Sequence, residues 1–118
     1  KIILIISILT VFIDSFYLKT VSNYFNKQVI KVQGSDLKLS LSPAIICYLF
    51  LIFGLYYFII KDNKPILDAF LLGLVIYMVF ETTNKAIFNS WDWTSVIMDG
   101  VWGGILFALI TFITYKII

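Results

Sequence analysis

The 118-residue sequence is short of the residues on which most enzyme sites depend. It has no histidine, no arginine, one cysteine and 14% charged residues. Without histidine and arginine, the commonest general base and the bidentate phosphate clamp are both missing. The lone Cys47 excludes an intramolecular disulfide and a thiolate metal site. A net charge of +2, spread along the chain, offers no basic field to nucleic acid. We therefore expect no enzyme activity, no cofactor, no metal and no nucleic-acid partner.

What the sequence has in excess is apolar residues, at 61%, with a mean hydropathy of +0.99. A helix needs about 20 mainly apolar residues to cross a bilayer, and polar punctuation separates four such runs. The predicted spans are about 2–18, 43–60, 65–88 and 95–117. The prediction is an all-α fold: an integral membrane four-helix up-and-down bundle, formed as a single transmembrane domain over residues 1–118. An even number of spans places residues near the two ends on the same side of the membrane.

A longer polar segment, residues 19–41, separates the first two runs. Its apolar side chains recur at helical spacing, while lysines, asparagines and serines fall mostly between them. These apolar positions are Val21, Tyr24, Phe25, Val29 and Val32. Two interpretations fit: a short amphipathic helix lying in the membrane interface, or a loop helix packed on the bundle. Gly34 is expected to end either one.

Five polar residues remain inside the predicted spans and point to one site. They are Asp14, Glu81, Asn84, Lys85 and Asp99. In an up-and-down bundle these residues lie near the same membrane face. Ionisable groups within a membrane normally face the bundle interior and pair with one another, so we predict a polar intramembrane cluster. The alternative places Asp14 and Asp99 separately among the headgroups and leaves Glu81 and Lys85 as a simple i, i+4 pair.

Small and aromatic residues of the last third of the chain suggest how the helices pack and where the membrane surface lies. Gly100, Gly104 and Ala108 recur every four residues, which predicts a ridge that another helix can approach closely. Trp91 and Trp93 flank the start of the fourth span. Tryptophan is enriched at membrane interfaces, so both are predicted to be interface anchors.

Short patterns within these segments resemble those of a family of small polytopic membrane proteins, the domain-of-unknown-function family 2177. The strongest part of the resemblance runs from Gly73 to Gly103 and follows the family's "GL..Y..YDLTN.A.L..W.......D..WG". Upstream, residues 14–18 are similar to its "D..WL", and residues 44–54 to its "A..FY.....G". The positions that match these patterns include Tyr48, Tyr77, Asn84, Trp91, Asp99 and Trp102, and the acid at Glu81 stands where the pattern has Asp. The resemblance covers nearly the whole chain.

Membership implies a four-helix membrane protein without an established activity. It also implies a bacterial inner membrane or, as in similar proteins of large DNA viruses, a viral internal membrane. Among the departures from the patterns, Tyr17 replaces a Trp, and Phe80-Glu81-Thr82-Thr83-Asn84 stands in place of Tyr-Asp-Leu-Thr-Asn, so that Glu81 replaces an Asp. Because glutamate is longer by one methylene, the second change suits a structural pair better than a tightly positioned catalytic carboxylate.

Three functions are compatible with the sequence. The first is a non-enzymatic structural or partner-docking component of a membrane, including a virion's inner membrane beneath a capsid. Its partners are then the lipid bilayer and other membrane or capsid-type proteins, or further copies of the chain. The alternative is a small oligomeric transporter or proton-linked carrier that uses the intramembrane carboxylates. The third, a membrane enzyme acting on lipid, has no recognisable motif behind it.

Overall fold

The fold is a bundle of four helices that confirms the predicted all-α membrane architecture. The computed structural model describes residues 1–35 and 40–118. The helices are α1 (Ile2–Gln33), α2 (Leu41–Leu55, continued by a π-helical turn, Tyr56–Ile60), α3 (Ile66–Ile87) and α4 (Trp93–Ile117). All four are long and apolar enough to cross a membrane.

Helix α1 is longer than predicted, because the amphipathic segment continues it without a break. No glycine or proline interrupts residues 19–33, so the helix continues to Gly34. Gly34 ends it with a left-handed φ of 75°, and its N–H donates to the Ile30 carbonyl oxygen at 2.8 Å. Residues 19–33 therefore belong to α1 and do not form the separate interfacial helix that was predicted. Residues 36–39 of the predicted segment lie outside the described residues. At 1.5 Å per residue, 32 residues measure about 48 Å, more than the roughly 30 Å of hydrocarbon. Residues 19–33, which we name the α1 extension, form the end of the helix that reaches the membrane surface.

The other helix ends follow local chemistry. Pro43 lies in the first turn of α2, where a missing N–H breaks no helical hydrogen bond. A tight turn with Asn63 at a φ of 53° joins the π-helical turn to α3, which begins after Pro65. Asp92 is the N-cap of α4 and accepts a hydrogen bond from the Ser95 backbone N–H at 2.8 Å.

Helix α4 is the most buried of the four and packs antiparallel to α3 along their length. Gly73 of α3 faces Gly103 of α4 so closely that a Cβ added at Gly103 would lie 2.6 Å from the Gly73 carbonyl oxygen. The core around this contact draws on all four helices, including Ile6, Leu55, Ala69, Leu106, Phe107 and Ile110. Close backbone approach at small residues is typical of helix packing in membranes.

The predicted small-residue ridge does lie against another helix. A Cβ at Gly104 would crowd the Phe70 ring, and a Cβ at Gly100 would crowd the Met78 side chain, both of α3. Ala108 is partly buried one turn further along. The closest approach to α3 is at Gly103, which lies beside the predicted row of Gly100, Gly104 and Ala108. The contact face of α4 is therefore broader than a single row of residues four apart.

Candidate functional site

The structure brings the three predicted carboxyl groups together in the interior of the bundle. Asp14 is 6% exposed and Glu81 is 1% exposed, while Asp99 is partly buried. Glu81 lies six residues before the end of α3 and Asp99 six residues after the start of α4. Six residues of helix correspond to about 9 Å, so both groups lie well inside their helices rather than at the ends.

Asp14 binds two donors that come from two other helices. The Trp102 indole Nε1–H of α4 donates to Asp14 Oδ1 at 2.9 Å. The Tyr48 hydroxyl of α2 donates to Asp14 Oδ2 at 2.6 Å. Both carboxylate oxygens are therefore hydrogen-bonded, and one side chain of α1 ties together three helices.

Asp99 and Glu81 form a carboxyl pair between α4 and α3. The two carboxyl groups are neighbours and line the same cavity. The Tyr17 hydroxyl donates to Asp99 Oδ1 at 3.1 Å, and the Trp91 indole donates to Glu81 Oε1 at 2.8 Å. Two neighbouring carboxyl groups can hydrogen-bond to each other only when one of them carries a proton, because an ionised carboxylate only accepts.

An aromatic stack connects Asp14 to this pair. The Tyr17 ring lies parallel to the Trp102 ring, with centroids 4.4 Å apart and an interplanar angle of 4°. Trp102 binds Asp14 and Tyr17 binds Asp99, so the stacked rings place the two acids on either side of one aromatic pair. We name the three acids with their four aromatic donors, Tyr17, Tyr48, Trp91 and Trp102, the carboxyl network.

Two residues of the predicted cluster lie outside the carboxyl network, and the prediction is corrected for them. The Lys85 ammonium donates to the Asn89 carbonyl oxygen at 3.2 Å and sits 5.9 Å from the centre of the Trp93 ring. Asn84 makes no side-chain hydrogen bond within the described part of the chain. Both residues lie in the last turn of α3, where a long side chain can reach the interface instead of the interior.

The two predicted interface anchors have different surroundings. Trp93 is 61% exposed, as an anchor would be. Trp91 is only 8% exposed, because its indole N–H is used by Glu81 inside the bundle. The prediction for Trp91 therefore needs correction: its polar atom serves a buried carboxylate rather than headgroups or water.

Sequence reasoning missed the aromatic donors of the network, although a signal for them was present. Tyr17 and Trp102 each follow an acid by three residues, in the patterns Asp14-x-x-Tyr17 and Asp99-x-x-Trp102. Residues three apart share a helix face, so acid and aromatic ring point the same way. Tyr48 and Trp91 also belong to the patterns that carry the family resemblance. Read as hydrogen-bond donors, these positions would have predicted the network.

Two cavities reach the carboxyl pair, one beside α1 and one beside α2. One of about 380 Å³ lies between α1 and α3 and is lined by Leu18, Val21, Phe25, Phe80, Glu81 and Asp99, among others. The second, about 210 Å³, lies between α2 and α3 and is lined by Cys47, Leu51, Ile76, Tyr77, Phe80 and Asp99. Asp99 lines both. The walls are mainly apolar, with the two carboxyl groups as the polar feature, which is the usual composition of a ligand pocket.

A second polar contact joins the α1 extension to the loop before α4. The Tyr24 hydroxyl lies 2.8 Å from both carboxylate oxygens of Asp92, and Gln28 Nε2 donates to Asp92 Oδ2 at 3.0 Å. In return the Asp92 backbone N–H donates to Gln28 Oε1 at 3.1 Å. Burial raises the pKa of the Asp92 carboxyl, but hydrogen bonds from Ser95 and Tyr24 outweigh it and hold that pKa below its ordinary value. Asp92 is thus an ionised acceptor at physiological pH.

Comparison with known proteins places the chain in a family. The model of DUF2177, described as a predicted membrane protein, matches residues 1–116. The chain belongs to the DUF2177 family. No curated protein and no solved structure matches it. The four membrane-length helices agree with the DUF2177 description, and the chain is a membrane protein.

Two of the departures from the DUF2177 patterns fall within the carboxyl network. Tyr17, where the pattern has Trp, keeps an aromatic ring against Trp102 and supplies a hydroxyl to Asp99. Glu81, where the pattern has Asp, accepts a hydrogen bond from Trp91 and lines the same cavity as Asp99. Each substituted side chain therefore has a partner in this structure.

Proposed function

We propose that this DUF2177 protein is a non-enzymatic, proton-linked membrane carrier, in which the Glu81–Asp99 pair holds the coupled proton. The observation that carries the proposal is the position of that pair: two neighbouring carboxyl groups inside the bundle that line one cavity together, with Asp99 also lining a second. Ionisable residues within a membrane are costly, and they mark ion or proton pathways more often than passive packing.

The charges of the network support proton binding. Its four donors are neutral aromatic groups, and in residues 1–35 and 40–118 no lysine pairs with Asp14, Glu81 or Asp99. Three uncompensated negative charges in a hydrocarbon environment would cost several kcal/mol each, on the order of the penalty for unpaired buried ions. The network therefore lowers its energy by taking up protons or an external cation, which is the property that a coupled carrier needs.

The two cavities give Asp99 two different surroundings, one beside α1 and one beside α2. Asp99 lines a space on the α1 side of α3 and another on the α2 side, so a shift of α3 would change which side the carboxyl pair faces. Four helices are few for a transporter, and we propose that the working unit is a homo-oligomer.

The test is proton flux in proteoliposomes that enclose a pH-sensitive dye, with the membrane potential clamped. We expect the protein to speed the decay of an imposed pH gradient, and Glu81→Gln and Asp99→Asn to reduce the rate to that of protein-free vesicles. These variants cannot carry the proton between the two helices. Asp68→Asn is the matched control, because Asp68 is exposed in the first turn of α3. Equal flux in the protein and in folded Glu81→Gln would contradict the proposal.

A second candidate function rests on a different feature of the same site. Each carboxyl group binds an indole or phenol donor, mostly from another helix, so the network also braces the bundle. Such bracing suits a structural or partner-docking component of a membrane, including a viral internal membrane. This candidate predicts that protein-containing and protein-free vesicles lose the pH gradient at the same rate.

A further inference from the structure

We propose that the α1 extension is a latched lid over the carboxyl pair, and that the contact of Tyr24 and Gln28 with Asp92 is its latch. The inference rests on the proposed function only in giving the carboxyl pair under the lid a role in proton transport. The contacts that define lid and latch are independent of what the carboxyl pair does.

One face of the α1 extension covers the cavity between α1 and α3. Val21, Ser22, Phe25 and Val29 of the α1 extension line the α1–α3 cavity, whose inner end is formed by Glu81 and Asp99. These four positions recur at helical spacing, so one face of the extension covers the cavity. The Phe25 ring also lies 6.1 Å from the Trp91 ring, and Trp91 donates to Glu81. The extension is therefore in contact with a member of the carboxyl network.

The latch lies on the adjacent face of the same helix. Tyr24 contacts both carboxylate oxygens of Asp92, while Gln28 exchanges a reciprocal pair of hydrogen bonds with Asp92. Gln28 is 2% exposed, so its amide is committed to this contact. Hydrogen bonds to a charged acceptor are stronger than those between neutral groups.

The latch residues and the lid residues move together, because they are neighbours on the same helix. Tyr24 and Phe25 are consecutive, and Gln28 precedes Val29. Asp92 follows Trp91 directly, so the latch acceptor is fixed beside the network donor. Releasing Tyr24 and Gln28 frees the extension to move away from Trp91 and opens the α1–α3 cavity. Asp92 is accordingly a positioning residue for access to the carboxyl pair.

The test uses the double variant Tyr24→Phe/Gln28→Leu, which removes both side-chain donors from α1 and leaves the Asp92–Ser95 cap of α4 intact. The reagent is dicyclohexylcarbodiimide, a membrane-soluble compound that modifies carboxyl groups, and peptide mass spectrometry locates the products. We expect labelling of Glu81 and Asp99 to accelerate at least about tenfold, the factor that corresponds to losing a single hydrogen bond to a charged group. Hydrogen exchange of residues 24–33 should rise in parallel.

Asp14 is the internal control, because it does not line this cavity and both its oxygens have donors. Tyr57→Phe is the matched variant, since the Tyr57 hydroxyl makes no hydrogen bond in the described structure. Three results would overturn the inference: unchanged exchange in the extension, faster exchange without faster labelling of Glu81 and Asp99, or equal acceleration at Asp14. Labelling is measured without a proton gradient, so a negative flux experiment and a negative labelling experiment remain distinguishable.

Discussion

Replacing Gly73 by alanine is expected to destabilise the bundle by roughly 3 kcal/mol, the upper part of the range for overpacking. The new Cβ would overlap the Gly103 carbonyl oxygen and lie 3.0 Å from the Phe107 Cβ. The obstacle is backbone rather than a flexible side chain, so α3 and α4 must separate over much of their contact. Unfolding of purified protein by dodecyl sulfate in mixed micelles measures the loss.

Gly54→Ala is the matched control for this prediction. A Cβ at Gly54 meets nothing within 4 Å, although Gly54 also lies within an apolar helix. Alanine has the higher helix propensity, so this variant should unfold at the same or a higher denaturant concentration. Equal loss of stability in both variants would mean that the Gly73–Gly103 contact does not set the distance between α3 and α4.

The second large effect is expected at Asp14. Asp14→Leu leaves the Trp102 indole and the Tyr48 hydroxyl without acceptors inside the bundle. A buried unsatisfied donor costs about 1–3 kcal/mol, and the values measured for hydrogen bonds within membranes lie near or below the lower end of that range. Because two donors lose their acceptor, we expect the free energy of unfolding to fall by about 2 kcal/mol in total. Asp14→Asn should lose less, because its one carbonyl oxygen still accepts from one donor. The same micelle titration compares both variants.

Tyr48→Phe and Asp68→Asn complete the Asp14 series. Tyr48→Phe removes one donor together with its need for a partner, so it should cost less than Asp14→Leu. Asp68→Asn removes an exposed acid and should leave the stability unchanged. If Asp14→Leu is as stable as Asp68→Asn, the hydrogen bonds to Asp14 do not brace the helices.

The number and order of the helices followed from apolar runs, because hydrocarbon thickness fixes the length that a span must have. The same logic placed Asp14, Glu81 and Asp99 at one face and predicted that they meet. It failed at the end of the first span. Hydropathy marks where a helix leaves the hydrocarbon, but nothing at residues 18–20 ends the helix itself, which continues to Gly34.

The partners of the acids could not be derived from charge alone. Lys85 was expected among them because opposite charges attract, yet it binds the Asn89 carbonyl near the membrane surface, where its ammonium keeps access to water. Neutral indole and phenol donors satisfy the carboxyl groups instead, with less cost of burial than an ammonium. The latch at Asp92 was also beyond the sequence, since Tyr24 and Gln28 are 68 and 64 residues away along the chain.

We propose that Glu81 and Asp99 share a proton inside the bundle, and infrared spectroscopy of the protein in lipid tests this most directly. A protonated carboxyl group has a carbonyl stretching band that is separate from those of carboxylates and amides. We expect this band to be present under the conditions of the flux measurement, to shift in deuterated water, and to change its position or disappear in both Glu81→Gln and Asp99→Asn while staying unchanged in Asp68→Asn. A spectrum without the band, or a band that is the same in the unaltered protein and in both variants, would contradict the shared proton.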